Sequence, residues 1–124
     1  MPKQAARHPV LSEPALDLIA QRFRVLGDAA RLRLLNELLQ GERAVQDLAE
    51  RTGLSQPTVS KQLAVLRSEG IVARRPQAQQ AFYRVADESV AQLCDIVCRG
   101  VAQRLAGHLE ALPVRRRAAG RAVR

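Results

Sequence analysis

Two cysteines near the carboxyl-terminal end have the most distinctive chemistry in this 124-residue chain. Cys94 and Cys98 are four residues apart, so a helix through them would place both thiols on one face. Two thiolates at this spacing can chelate one soft ion, such as arsenite (As(III)) or a thiophilic divalent metal, and His108 of a second copy could join them. The pair could instead sense an oxidant or persulfide through a disulfide between subunits. The alternative without a sensing role is that both cysteines serve only as small, buried apolar side chains.

The cysteines do not predict an enzyme. They form no Cys-x-x-Cys motif, and neither His8 nor His108 lies close enough in sequence to be an evident activating base. We therefore expect no catalytic residues.

A second group of residues could contact DNA. Ser55 is placed to cap a helix with Pro57 in its first turn, and Val59, Leu63 and Leu66 would face the core. Polar side chains then lie on or beside the opposite face: Ser55, Gln56, Thr58, Ser60, Lys61 and Gln62. Glutamine can offer adenine a donor and an acceptor together, while serine, threonine and lysine suit phosphates or bases. The alternative is an ordinary solvated helix face.

The elements around this helix are those that would seat it in the major groove. A short helix from about Ala44 to Thr52, a tight turn at Gly53 and the helix from Ser55 together predict a helix-turn-helix. Two further helices precede it. One starts at Ser12-Glu13-Pro14 and ends at Gly27, and the other runs from Asp28 to about Gln40 with a stripe of Leu32, Leu35, Leu38 and Leu39.

After Gly70 the pattern changes to short strands. Residues 71–75 and 81–85 predict a hairpin around 76–80, although the usual glycine-containing turn signal is absent. Such a wing could lay three arginines along the DNA backbone or in the minor groove: Arg74, Arg75 and Arg84.

The last predicted helix runs from about Asp87 to Leu112. One face carries an apolar stripe that includes Val90, Val97 and Val101. An apolar stripe this long in so small a domain must be buried against another element. We expect the first helix and a second subunit to bury it. The alternative is a monomer whose helix folds back onto its own core.

Charge and composition agree with a polyanionic partner without requiring one. The net charge is +8, and five of the 18 arginines lie in the last ten residues. We expect a flexible arm at 1–11, one winged-helix domain at 12–112 and a basic tail at 113–124. The amino-terminal residues lack the apolar core of a signal peptide, which predicts a cytoplasmic protein.

Several of these motifs, in this order, resemble the ArsR/SmtB family. They are the run 23–35, the helix at 54–63, the Val65-Leu-Arg-Ser-Glu-Gly-Ile-Val72 segment and Phe82-Tyr-Arg84. The resemblance implies a mainly α winged helix-turn-helix with a small β-hairpin, in the order four helices, two strands and one helix. It also implies homodimers joined through the first and last helices, and repressors that leave an imperfect inverted-repeat DNA operator when an inducer binds.

The metal-binding patterns of that family are absent or incomplete. The segment Arg43-Ala-Val-Gln-Asp-Leu48 stands where some members carry a cysteine box, and it has no cysteine. Of four zinc-ligand positions implied by the resemblance, three hold Ser89, Gly100 and Gln103, and Asp87 alone keeps a ligand type. An inducer sensed at Cys94 and Cys98, with His108 as a further ligand, is therefore the remaining expectation. The alternative is a DNA-binding protein without a cysteine sensor.

Overall fold

The computed structural model describes residues 8–106, and His108 and the predicted tail at 113–124 lie outside that range. Five helices and the two strands of a hairpin follow one another in the predicted order, and a short strand that was not predicted lies between the second and third helices. In chain order the elements are α1 (Glu13–Leu26), α2 (Ala29–Leu38), β1 (Arg43–Ala44), α3 (Val45–Thr52), α4 (Gln56–Ser68), β2 (Val72–Gln77), β3 (Gln80–Val85) and α5 (Glu88–Leu105). Within residues 8–106, no helix is both long enough and apolar enough to cross a membrane.

Side-chain caps begin the first two helices where the sequence predicts them. The Ser12 hydroxyl accepts a hydrogen bond from the Ala15 amide at 3.2 Å, and the Asp28 carboxylate accepts one from the Arg31 amide at 3.1 Å. Each bond satisfies a backbone donor that has no partner inside its helix, which fixes where the helix starts.

One apolar core joins α2, α3, α4, the sheet and the start of α5. Its fully enclosed members include Leu34, Leu48, Leu63 and Ile71, each with 0% of its surface exposed. The predicted inner face of α4 is confirmed, since Val59, Leu63 and Leu66 are all enclosed. These side chains hold the helix so that its other face turns outward.

The predicted stripe on α2 was partly wrong. Leu34 lies in the core with Leu35 and Leu38, whereas Leu32 and Leu39 are 44% and 39% exposed. Five leucines in the eight positions 32–39 cover more than one helix face, so spacing alone did not decide which of them turns inward.

The hairpin is longer than predicted and has a third strand beside it. β2 and β3 pair from Val72↔Val85 to Gln77↔Gln80, which leaves a two-residue tip instead of the predicted loop at 76–80. Ala78 in that tip has φ 57°, a conformation that glycine adopts more easily. β1 pairs with β3 in the order β1-β3-β2, so Pro76 lies in an edge strand, where a missing amide proton is tolerated.

The last helix ends earlier than predicted. α5 stops at Leu105, and Ala106 has extended backbone angles, so the predicted helix is not continuous past Leu105; the rest of its predicted range, 107–112, lies outside the described residues. Its first turns are anchored, because Val90 is buried and Leu93 and Cys94 pack against the core. Beyond them the apolar face is uncovered in the single chain, with Val97 52% and Val101 44% exposed.

The apolar face of α1 is equally open. Leu16, Ile19 and Phe23 are 43%, 40% and 54% exposed, although they follow the predicted helical spacing. A 3.4 Å ion pair between Arg22 and Asp87 links α1 to the start of α5. The single chain therefore presents two uncovered apolar helix faces. In the monomeric alternative, α5 would instead fold back fully onto the core of its own chain.

Candidate nucleic-acid interface and thiol pair

The turn between α3 and α4 sets the orientation of the candidate recognition helix. Gly53 is left-handed at φ 81°, as expected of a helix-ending glycine. The neighbouring Thr52 hydroxyl donates to the Leu48 carbonyl at 2.7 Å and accepts from the Leu54 amide at 3.2 Å. Thr52 thus links the end of α3 to the residue that follows the turn. This role was not predicted, because a threonine at a helix end is only a weak sequence signal for it.

The amino-terminal end of α4 is exposed and capped. Ser55 accepts a hydrogen bond from the Thr58 amide at 3.2 Å, and its hydroxyl is 2.9 Å from that of Thr58. The two hydroxyls are therefore partly engaged with each other. The amide groups and dipole at such a helix end favour an anion, and DNA phosphate is one.

The remaining predicted residues of α4 divide by exposure. Gln56, Ser60 and Lys61 are exposed, whereas Thr58 and Gln62 are half-buried. Gln62 already has a partner, because its side-chain oxygen accepts a hydrogen bond from the Arg31 guanidinium at 2.8 Å. Sequence reasoning missed Arg31, which is 31 positions away and belongs to another helix.

The three wing arginines are not equivalent. Arg75 donates to both carboxylate oxygens of Glu42, at 2.7 and 3.1 Å, and its guanidinium lies 5.1 Å from the centre of the Phe82 ring. The hydrogen bond from Arg75 lowers the pKa of Glu42, so that carboxylate is ionised at neutral pH. The positive charge of Arg75 is thus compensated within the chain.

The other two arginines lie on opposite faces of the hairpin. Arg74 is paired with Tyr83, and Arg84 with Ala73, one step along the ladder. Side chains alternate along a strand, so Arg74 shares one face with Tyr83, whereas Arg84 shares the other with Arg75 and Phe82. Among the described residues neither Arg74 nor Arg84 forms a salt bridge. The structure therefore does not bring the three predicted arginines onto a single surface.

The two cysteines differ in their surroundings. Cys94 is half-buried and Cys98 is exposed, and both are free thiols. Cys94 lines an open groove of about 350 Å³ with Leu32, Leu35 and Leu39 of α2. Burial, and secondarily the neighbouring Cys98, raises the pKa of the Cys94 thiol. Cys94 is therefore protonated at neutral pH and is a poor nucleophile in this state.

One chain does not supply a complete metal site from its described residues. Within residues 8–106, no group of three or more histidine, cysteine, aspartate or glutamate side chains is placed to hold an ion. Asp87 is the one residue of a metal-ligand type that remains at the four zinc-ligand positions, and here it caps α5. Its carboxylate accepts hydrogen bonds from the Ser89 hydroxyl and amide and forms an ion pair with Arg22. The hydrogen bond from Ser89 is the main reason why the pKa of Asp87 is lowered.

Comparison with known proteins places this arrangement in a family. A family model described as "Bacterial regulatory protein, arsR family" matches residues 28–74, from the cap of α2 to β2. A regulator from Streptomyces lividans, named for repression of a mercury resistance operon, is 42% identical over 77 residues, which are 62% of each chain. The chain covers only 36% of the Mycobacterium tuberculosis regulator Rv0324, with 40% identity over 82 residues.

The chain matches one relative over most of its length and one solved DNA-binding domain, a fragment of residues 1–100, over most of that fragment. The transcriptional regulator Rv0081 of M. tuberculosis is 36% identical over 102 residues, 82% of this chain and 90% of that protein. Its crystal structure superposes with a TM-score of 0.71 at 34% identity, covering 78% of this chain and 98% of that one. The homodimeric winged helix-turn-helix DNA-binding domain of Mb0332 from Mycobacterium bovis gives a TM-score of 0.69 at 35% identity, covering 85% and 96%. This chain, a winged helix-turn-helix protein, therefore belongs to the ArsR family of bacterial regulatory proteins.

Proposed function

We propose that this protein is a homodimeric transcriptional repressor that binds an inverted-repeat operator and is released by an inducer acting at Cys94 and Cys98. The observation that carries the DNA-binding part is the presentation of α4. Its apolar face is fully enclosed by the core, while Gln56, Ser60 and Lys61 are exposed beside a capped, open helix end. A helix held in this way can enter the major groove without losing core contacts.

Dimerisation through α1 and α5 follows from what the single chain leaves uncovered. Phe23 and Ile19 of α1, and Val97 and Val101 of α5, are each at least 40% exposed. Apolar residues at helical spacing on two neighbouring helices are typical of an interface between copies. A twofold dimer would present two copies of α4, and operator half-sites about 34 Å apart would accept them.

The dimer is tested by placing a charge in this apolar face. Val97→Glu should yield a monomer in sedimentation experiments, because the interface would have to bury an unpaired carboxylate. Gln92→Glu is the matched control, since Gln92 is exposed on the other side of α5 at about 100° per residue. A Val97→Glu protein that remains dimeric would place the interface elsewhere.

Contact with DNA is tested on α4 itself. Gln56→Ala or Lys61→Ala should weaken operator binding by about 1–3 kcal/mol at fixed salt if these residues touch bases or phosphates. Arg67→Ala provides a control in the last turn of the same helix, away from the open end. Equal affinities for all four proteins would mean that α4 does not present this face to DNA.

Three observations support the thiol pair as the inducer site. Both cysteines lie on α5, which carries part of the proposed dimer interface. Cys94 opens into the α2–α5 groove, and the nearby Cys98 contributes to raising the pKa of Cys94, so the two thiols are close neighbours. The Streptomyces relative is named for mercury, a metal that prefers sulfur ligands. The described part of one chain offers two sulfur ligands, so an ion that needs more than two ligands, such as As(III), would take the others from the partner subunit or from His108.

Oxidation or persulfidation of the pair is the other chemistry that we propose to test. Cys98 would react first, because it is exposed, whereas burial raises the pKa of the Cys94 thiol. Native mass spectrometry of the dimer with Hg(II), arsenite, peroxide or a persulfide donor, together with operator release, identifies the active compound. Cys94→Ser and Cys98→Ser should each abolish release if the pair is the sensor.

The alternative function is a DNA-binding protein of this family without a cysteine sensor. A specific observation favours it: Cys94 packs against the core as a small apolar residue would. Unchanged operator affinity with every thiol reagent, and wild-type behaviour of the double serine variant, would establish this alternative and exclude the sensor.

We also propose that the basic segment at 113–124 adds DNA affinity that does not depend on sequence. Five arginines in the last ten residues could each release a counterion on binding a phosphate. Deleting residues 115–124 should mainly flatten the dependence of affinity on salt. An equal loss of discrimination between operator and random DNA would show that the segment also reads sequence.

A further inference from the structure

Arg31 joins three helices by a single side chain. It lies in the first turn of α2, where its Nε donates to the Val25 carbonyl near the end of α1 at 2.7 Å. Its Nη1 donates to Gln62 Oε1 on α4 at 2.8 Å, and its Nη2 is 4.0 Å from the capping carboxylate of Asp28. The side chain is only 17% exposed, so these contacts fix the position of the guanidinium.

The contact with Arg31 decides which way the amide of Gln62 faces. A guanidinium has donors only, so the Gln62 atom next to it must be the oxygen. The amide nitrogen of Gln62, with its two hydrogens, is therefore the end that is not held by Arg31. Gln62 is only half-buried, so part of this side chain is accessible to solvent.

This orientation changes what Gln62 can read. Adenine recognition by glutamine uses the amide oxygen as acceptor and the nitrogen as donor together. Because Arg31 already donates to the oxygen, the nitrogen is the group that Gln62 offers to a base. It suits bases with acceptors in the major groove, which are guanine (O6 and N7), thymine (O4) and adenine (N7), whereas cytosine presents only a donor there. We propose that Arg31 is a positioning residue that fixes Gln62 as a hydrogen-bond donor, so that the protein selects against cytosine, and favours guanine with its two acceptors, at one position of each half-site.

This inference rests on the proposed function, and the experiment separates the two. Operator sequences are first selected from randomised inverted repeats with the wild-type protein. Affinities for all four bases at each half-site position are then compared with those of Gln62→Ala. The position at which Gln62→Ala loses its preference is the one that Gln62 reads. If the wild-type protein selects no sequence, the proposed function fails before the inference is tested.

The decisive variant is Gln62→Glu. A glutamate keeps an oxygen for Arg31 but replaces the outward donor by an acceptor, so the preference at that position should move to cytosine or adenine, which carry donors. We expect a shift of about fivefold or more in relative affinity, as one base contact provides. Because the Arg31 contact is retained, this variant does not depend on whether Arg31 can be removed without unfolding.

Variants of Arg31 test the positioning role directly. Arg31→Met should relax the preference at the same position and at no other, and adding Gln62→Ala should cause no further change there. Arg31→Lys, with one ammonium group in place of the guanidinium fork, should have a smaller effect. A uniform loss of affinity for all sequences, or additive effects of the two substitutions, would overturn the inference. So would an unchanged base preference in Gln62→Glu or Gln62→Ala.

Discussion

The ion pair between Glu42 and Arg75 should restrain the contact of the wing with DNA. Glu42 lies just before β1, and its carboxylate binds Arg75 of β2 through two hydrogen bonds of 2.7 and 3.1 Å. Because this hydrogen bond lowers the pKa of Glu42, the carboxylate stays charged at the pH of any ordinary binding assay. Glu42→Gln removes that charge and leaves Arg75 able to turn toward a phosphate.

The size of the effect follows from counterion release. Each additional phosphate contact makes the slope of log affinity against log salt steeper by about 0.9. If Arg75 gains one contact in each subunit, the slope for the dimer should steepen by about 1.8. Raising the salt concentration fourfold would then cost the variant about twelvefold more affinity than the wild-type protein loses.

The assay is a series of fluorescence anisotropy titrations with operator DNA between about 50 and 200 mM salt, the range over which such slopes are resolved. Glu50→Gln is the matched control, because Glu50 lines the same surface groove as Glu42 and loses the same charge. The control should raise affinity slightly through the general field and leave the slope close to that of the wild-type protein.

The double variant Glu42→Gln/Arg75→Gln identifies the group responsible. Its slope should return to the wild-type value, because the arginine that gained the contact is gone. A steep slope in the double variant would point to Arg84, whose charge also acts on Glu42. A wild-type slope in Glu42→Gln itself would refute the reasoning, since a released Arg75 would then reach no phosphate.

Two further predictions concern stability. Ala78→Gly should raise the free energy of unfolding by about 1 kcal/mol in urea titrations, because Ala78 has a left-handed φ of 57° that glycine adopts more easily. The control is Ala73→Gly in the body of β2, which should lower the free energy of unfolding. A lower free energy of unfolding in both variants would contradict a strained tip. Asp87→Ala should cost about 1 kcal/mol through loss of the α5 cap, and Asp87→Asn, which can still cap, should cost less. Since folding lowers the pKa of Asp87, its stabilisation is complete well above the unfolded value of about 3.9 and is lost as pH falls through the lower folded value. Unfolding followed between pH 7 and about pH 2 should therefore show a smaller acid loss for both Asp87 variants than for the wild-type protein, and identical acid profiles would contradict this account.

The order of elements could be predicted because local signals mark each boundary. Ser12, Asp28 and Ser55 accept the capping hydrogen bonds expected of them, and Gly53 takes the left-handed conformation of a helix end. Such signals depend on residues within one turn of each other, so they can be read from a short stretch of sequence. The enclosed face of α4 could be read for the same reason.

Contacts between distant segments could not be predicted in this way. β1 has only two residues and becomes a strand through its pairing with β3, almost forty positions later. The Glu42–Arg75 pair and the Arg31–Gln62 hydrogen bond join residues 33 and 31 positions apart. No periodicity links such residues, and these contacts changed the interpretation of two predicted DNA-binding residues, Arg75 and Gln62.

The position of α2 gives a physical basis for coupling the thiol pair to α4. One side of α2 presents Leu32 and Leu39 to the groove into which Cys94 opens, while Arg31 in its first turn holds Gln62. An inducer can change DNA affinity only by binding the two states of the protein differently, and couplings of about 1–3 kcal/mol are typical. A group added at Cys94 could contact those two leucines directly, and a displacement of α2 would move Arg31 with it. The orientation of the Gln62 amide would then respond first on the proposed DNA-binding face. A shift of a few tenths of an ångström is enough to stretch the 2.8 Å hydrogen bond from Arg31 to the upper end of the usual range. Release by an inducer at Cys94 and loss of base preference at the position read by Gln62 should therefore occur together, since both follow from the same movement of α2.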